Sequence, residues 1–133
     1  MHSIELWDKE TGNLVAGEIG YAIGGVYTSL SGFRKPGTKS AGTIQCCCVA
    51  ALLRRSGFVI WDLGMGMEYK YKLGAKDVPR KEFLQRLRSV RGMQVTLGSL
   101  TAEGERVGEK LSHDDEAQQH VSERLDCRQL LCH

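Results

Sequence analysis

Along the first thirty residues, apolar and polar side chains alternate. In Ser3–Asp8, Ile4 and Leu6 are set against Ser3, Glu5 and Trp7. That period of two reads as a short strand, because successive side chains on an extended backbone point to opposite faces. Thr11-Gly12-Asn13 reads as a hairpin turn, since Gly12 and Asn13 tolerate positive φ. Leu14–Ile23 returns as a second strand, and Val26–Leu30 follows Gly24-Gly25 as a third, β-branched one. Gly17 and Gly20 fall inside the second strand, where glycine marks a bulge or a close approach.

The period then lengthens. Gly32–Lys39 is a basic loop bearing glycine and proline. Ser40 is an expected N-cap for a helix running to about Arg55, with Ile44, Cys48, Ala51 and Leu52 on one face. Arg54 and Arg55 suit the negative end of its dipole, and Gly57 suits a left-handed cap. Phe58–Asp62 is a compact apolar run of the length of a central buried strand. Gly64–Lys72 reads as a loop or irregular strand. A second helix is expected over Val78–Arg91, with Asp77 as N-cap, Pro79 in its first turn, and Phe83, Leu84 and Leu87 as its buried stripe. Beyond Gly92 the pattern weakens, leaving an amphipathic helix over Asp114–Leu131 with Ala117, Val121 and Leu125 at a four-residue spacing. The order β-β-β-α-β-α predicts an α+β (mixed α/β) domain over residues 1–91. Residues 92–133 form a C-terminal extension, expected to be partly disordered or helical and dispensable for folding.

Composition narrows the class. The 133 residues are 41% hydrophobic and 26% charged, as in an ordinary globular domain. No apolar run is long enough to span a membrane, and the first residues have neither the basic nor the apolar segment of a secretory signal. The expected location is cytoplasmic. Five cysteines, three of them consecutive, make a poor disulfide framework. Adjacent residues on a helix diverge, so the triplet does not converge on a metal either. They read as small buried side chains. The net charge of +2 conceals a basic front part and an acidic tail, so only the front suits a polyanion such as RNA.

The loop Gly32–Ser40 follows a strand and precedes a helix, as a phosphate-binding loop does, but Thr38 puts Lys39-Ser40 one residue out of place. Its cations still suit a phosphate, and a solvated turn fits equally. The four histidines lie at His2, His113, His120 and His133, which gives little support for a nucleophile–base pair or for zinc. Asp62 ends the most apolar strand and precedes Leu63-Gly64-Met65-Gly66, the place where mixed sheets put reactive carboxylates. A loop-capping aspartate explains that position too. Glu18 and Glu68 are the other carboxylates near apolar segments, and Tyr27, Tyr69 and Tyr71 are candidate proton donors or stacking rings.

The ordered run from Ser3 to Leu87 resembles one family. The residues carrying the similarity are His2-Ser3-Ile4-Glu5-Leu6-Trp7, Leu14-Val15-Ala16-Gly17, Gly20, and Gly25-Val26-Tyr27 leading to Ser31 and Phe33. They continue through Lys39-Ser40-Ala41, Gly57-Phe58-Val59-Ile60-Trp61-Asp62, Leu73-Gly74-Ala75, Pro79-Arg80 and Phe83-Leu84. In this order and spacing they resemble the C-terminal half of the leucyl/phenylalanyl-tRNA–protein transferases. The resemblance implies a mixed sheet of the acetyltransferase (GNAT) type. It also implies transfer of leucine or phenylalanine from aminoacyl-tRNA to a protein's N-terminal residue, with the charged tRNA as co-substrate and no other cofactor or metal. Asp62 matches the family's strand-end aspartate and is expected to orient the acceptor amine.

Three family positions differ. The glutamine two residues after that aspartate is Gly64, the glutamate of a Gly-Glu-Ser-Met-Phe segment is Leu30, and a histidine of the following loop is Tyr69. Glu68 and Tyr69 are therefore expected substitutes for lost polar groups, and Arg34, Lys35 and Lys39 are expected to contact RNA phosphate. The alternative is a non-catalytic relative that binds a peptide N-terminus or a partner protein. An acyl-CoA N-acyltransferase would need an Arg/Gln-x-x-Gly-x-Gly/Ala loop, which the sequence lacks.

Overall fold

The alternation at the N-terminus becomes an antiparallel meander. In a computed structural model that describes residues 1–98 and 130–132, β1 (His2–Trp7) pairs with β2 (Leu14–Ile23), setting Ile4 opposite Glu18 and Leu6 opposite Ala16. The turn between them is tied by Asp8, whose carboxylate accepts the Thr11 amide at 2.7 Å and the Thr11 hydroxyl at 2.8 Å. Gly12 takes the positive φ, 65°, that the turn requires.

β3 runs from Val26 to Arg34, four residues beyond its expected end at Leu30. Ser31–Arg34 are strand rather than loop because the long β2 offers them partners, Gly17 against Phe33 and Ala16 against Arg34. The register has one irregularity. Ile19 faces Ser31 and Gly20 faces Ser29, so Leu30 is the extra residue of a β-bulge.

α1 (Ala41–Ser56) carries the chain over to β4 (Ile60–Asp62), which lies parallel to β3 in the register Val26–Ile60, Tyr27–Trp61, Thr28–Asp62. Ser40 does not cap the helix as expected. It is left-handed (φ 59°) and makes no side-chain capping bond, because an N-cap hydroxyl reaches the first-turn amides from an extended backbone. Its carbonyl instead accepts the Ile44 amide at 2.9 Å. The other end follows expectation: Gly57 is left-handed, and Phe58 N–H closes on the Leu53 carbonyl at 3.0 Å.

The stretch expected as loop or irregular strand contains α2 (Glu68–Lys72). Asp77 is not an N-cap. It ends β5 (Lys76–Asp77) and accepts the Tyr71 hydroxyl at 2.8 Å, while α3 (Arg80–Val90) starts directly after Pro79. β6 (Leu130–Cys132) lies between β4 and β5, parallel to both, giving the sheet order β1-β2-β3-β4-β6-β5. The helix expected over Asp114–Leu131 lies outside the described residues, apart from Leu130 and Leu131, which belong to this strand.

Alternation along β3 and β4 sorts the core into two layers. Tyr27 and Trp61 face α1 and pack with Ile4, Val49, Leu52, Leu53 and Phe58. Val26 and Ile60 face α3 and pack with Val78 and Phe83. Val95 and Leu97, beyond Gly92, also lie against the α1-side cluster. Burying each large apolar side chain is worth about 1.5–3 kcal/mol. The architecture is a mixed α+β fold.

Candidate functional site

Two carboxylates are positioned by this sheet, on opposite faces. Asp62 follows Ile60 by two residues and shares its α3-side face, next to Thr28. It is only 5% exposed. One carboxylate oxygen accepts the Gly64 amide at 2.8 Å and the other accepts the Thr28 hydroxyl at 3.3 Å. The Gly64 bond spans two residues, the geometry of an aspartate that shapes its own turn, and Gly64 takes the positive φ (64°) which that turn needs. The loop beyond is held by a residue that sequence reasoning did not single out for this purpose. Lys70, on α2, donates to the Leu63 carbonyl at 2.6 Å and to the Met65 carbonyl at 2.8 Å.

The two expected substitutes do not gather at Asp62. Glu68 directs its carboxylate to Lys72 at 2.7 Å, and its side chain is 84% exposed. Tyr69 is exposed on the same short helix, with the Lys70 ammonium 6.0 Å from its ring centroid. The i,i+4 spacing of Glu68 and Lys72 is that of a solvent-facing helical pair, and it was legible in the sequence.

The α1-side face holds the second group. Glu18 on β2 accepts bonds from the Ser29 hydroxyl, 3.1 and 3.2 Å from its two oxygens. Ser29 in turn accepts the Trp61 indole N–H at 2.9 Å. Beside them Tyr27 is fully buried, and its hydroxyl has no hydrogen-bond partner of ordinary geometry. That hydroxyl lies over Gly20, where a Cβ would come within 2.5 Å of it. This is the close approach that glycine in β2 foreshadows.

Burial dominates the electrostatics of this cluster. It pushes the Glu18 carboxyl above the usual carboxylate range, against the opposing pull of Ser29, Tyr27 and the Lys70 charge. Burial, reinforced by Glu18, raises the Tyr27 phenol well above its ordinary value. The Cys46 thiol is pushed up to about 11, first by burial and then by Glu18. Cys46 and Cys48 are unbridged. Both are half-buried rather than buried as expected from the sequence, with raised rather than activated thiols.

The basic loop lies apart from both carboxylates in the chain. Arg34, Lys35 and Lys39 are all exposed. Arg34 donates to the Thr38 carbonyl at 3.5 Å, and the Thr38 hydroxyl closes the turn onto the Lys35 carbonyl at 2.6 Å. Among the described residues no group of histidine, cysteine, aspartate or glutamate is arranged to hold a metal, and no helix is long and apolar enough to cross a membrane.

Residues 1–88 match the family model described as leucyl/phenylalanyl-tRNA protein transferase. The chain belongs to this family. Among its relatives, the leucyl/phenylalanyl-tRNA–protein transferase of Nitrosospira multiformis is 36% identical over 89 residues, 67% of this chain and 37% of that protein. The transferase of Alkalilimnicola ehrlichii is 34% identical over 87 residues, 65% of this chain and 32% of its own length. The chain thus spans about a third of the relatives it matches.

The leucyl/phenylalanyl-tRNA–protein transferase match runs from β1 into α3 and so includes both carboxylates. Within it, Leu30, where the resemblance leads one to expect a glutamate, is the bulge residue of β3 and is half exposed. Gly64, where the resemblance leads one to expect a glutamine, serves the Asp62 turn with its amide and its positive φ. Neither position supplies a side-chain polar group.

Proposed function

We propose that the protein transfers leucine or phenylalanine from a charged tRNA to the N-terminal residue of an acceptor protein. Family membership supports the aminoacyltransferase class. The observation that carries the reading to this chain is Asp62: a buried carboxylate at the end of a central strand, fixed by Thr28 and Gly64. Two acceptor bonds and a rigid strand hold that carboxylate in place, the preorganisation that acyl transfer requires. In this proposal Asp62 acts through the turn that it fixes. Arg34, Lys35 and Lys39 present exposed positive charge for tRNA phosphate, and the tRNA is the only co-substrate. This chemistry belongs in the cytoplasm, where charged tRNA is available.

The test is incubation of the purified chain with radiolabelled leucyl-tRNA and a peptide beginning with arginine. Label in the peptide supports the reading, and label remaining on tRNA or in free leucine refutes it.

A second reading is favoured by Leu30, Gly64 and the outward-facing Glu68. The polar side chains of the family are absent at the first two positions, and Glu68 is occupied with Lys72. A non-catalytic relative would keep the fold and bind a peptide N-terminus without transfer. Binding of the arginine peptide with no labelled product distinguishes it.

A further inference from the structure

The α1-side cluster has the composition of a small-ligand site that the resemblance to the family does not assign. Glu18 offers both carboxylate oxygens on a half-buried face, each within 3.2 Å of one hydroxyl that donates to them. Tyr27, fully buried, brings a hydroxyl that acts on Glu18 but makes no hydrogen bond of ordinary geometry among the described residues. An unsatisfied buried hydroxyl costs on the order of 1–3 kcal/mol, so a position that keeps one calls for an explanation. Gly20 and Gly32 carry no side chains beside these groups, and a Cβ at Gly20 would collide with the Tyr27 hydroxyl. The other groups that act on the cluster are the Cys46 thiol from α1 and the Lys70 ammonium from α2, and His2 lies across from Gly20 with its ring 6.4 Å from that of Tyr27.

We infer that Glu18 and Tyr27 form a binding site for a primary ammonium group, the α-amine of the acceptor polypeptide. A carboxylate plus a neutral hydroxyl presents lone pairs to an N–H donor of positive charge, whereas Asp62 is engaged by Thr28 and Gly64 and Glu68 by Lys72. Tyr27 stays protonated and therefore uncharged, since burial holds its phenol far above neutrality.

This inference deepens the transferase reading and rests on it for its catalytic consequence. An α-amine has a pKa near 8 and enters mostly as ammonium. Glu18 takes one proton from the ammonium, which leaves a neutral amine and a carboxylic acid. The nitrogen lone pair then attacks the ester carbonyl of aminoacyl-tRNA, the C–N bond forms, and the bond to the ribose oxygen breaks. The remaining surplus N–H proton goes to that ribose oxygen, and Glu18 releases its proton to water. A carboxyl with a raised pKa is the better base for the first step.

The experiment follows the Glu18 side-chain carboxyl by carbon-13 NMR on the full chain, assigned with Glu18→Gln. A peptide with a free N-terminal arginine is compared with the same peptide N-acetylated. The expected result is a drop in the Glu18 titration midpoint with the free peptide only, and a smaller drop in Tyr27→Phe. Both peptides leaving the midpoint unchanged, or moving it equally, overturns the ammonium site. In the transfer assay Glu18→Gln, which keeps the Ser29 bond and so the local packing, is expected to be about 100-fold slower. Unimpaired transfer by Glu18→Gln overturns the base role. If the unmutated chain transfers nothing while the midpoint still responds to the free peptide alone, the transferase reading fails and the ammonium site stands.

Discussion

Trp61 donates its indole N–H to the Ser29 hydroxyl at 2.9 Å, and that hydroxyl is the one which donates to Glu18. The parallel register that sets Tyr27 opposite Trp61 brings an indole from β4 to a serine two residues along β3. Ser29 is therefore the hinge of a chain running from a core aromatic to a half-buried carboxylate. Ser29→Ala leaves the buried indole N–H unpaired, and the expected loss is about 1–3 kcal/mol in a denaturant melt. The same change removes a bond that favours ionised Glu18, so the Glu18 titration midpoint rises further. A midpoint that falls would show that Ser29 does not stabilise the charge.

Glu18 makes stability depend on pH in the direction opposite to an ion-paired carboxylate. Its folded-state pKa lies above the unfolded value of 4.5, so the native state binds the proton more tightly. Stability is then greatest below about pH 4.5 as far as this group is concerned, and declines as pH rises through the folded pKa. Glu18→Gln removes that decline. Melts of the two proteins should converge toward the low end of the window, and above it the variant should be the more stable. A parallel pair of curves would show that Glu18 titrates normally.

Gly20 is held to glycine by its neighbours rather than by its φ. An added Cβ would lie 2.5 Å from the Tyr27 hydroxyl and 2.6 Å from the Thr28 carbonyl oxygen. The backbone contact has no flexible end to yield, so Gly20→Ala should cost on the order of 1–3 kcal/mol, as overpacked cores do. The double variant Gly20→Ala, Tyr27→Phe removes the hydroxyl but leaves the Tyr27 ring carbon and the Thr28 carbonyl oxygen, each 2.6 Å away, so it should recover only part of the loss. Full recovery would place the whole conflict on the hydroxyl.

The exposed cations give a prediction about RNA. Arg34, Lys35 and Lys39 are few, so binding of a charged tRNA should be weak, without sequence preference, and with a shallow dependence on salt. Substituting Arg34 and Lys35 with alanine should reduce the slope of log affinity against log salt by about two. An unchanged slope removes these residues from the interface. Lys70 is a poorer candidate because its ammonium is already spent on the Leu63 and Met65 carbonyls.

Local signals were legible wherever one short-range pattern decided the outcome. The alternation of Ile4 and Leu6, the Gly12 turn, the left-handed Gly57 and the apolar run ending in Asp62 all follow from a few adjacent residues. What escaped was decided by pairing at a distance. Ser31–Arg34 look like loop, with glycine and polar residues, until β2 offers them a partner. Ser40 has the composition of a cap but not the backbone. Asp62 was found because it ends a strand, whereas the role of Glu18 depends on Ser29 and Trp61, 11 and 43 residues away, meeting it across three strands. Glu68 and Tyr69 are adjacent in sequence to the site loop, but the turn of α2 directs them to solvent.

Asp62→Asn separates charge from packing at the strand end. Asparagine keeps the size and one acceptor oxygen, so the 2.8 Å bond from Gly64 survives, and the Thr28 hydroxyl can turn to accept from the new amide. The expected stability cost is accordingly small, about 1 kcal/mol, comparable with the loss of a capping interaction. If the fixed negative charge aligns the reacting groups, transfer of labelled leucine should fall by at least about 100-fold while the melting point shifts by only a few degrees. The two measurements belong on one preparation of the variant, because each alone is ambiguous: lost activity with a large fall in melting point reports collapse of the Gly64 turn. A lowered melting point with unchanged transfer assigns Asp62 to the turn alone and leaves the transfer step to Glu18 on the other face.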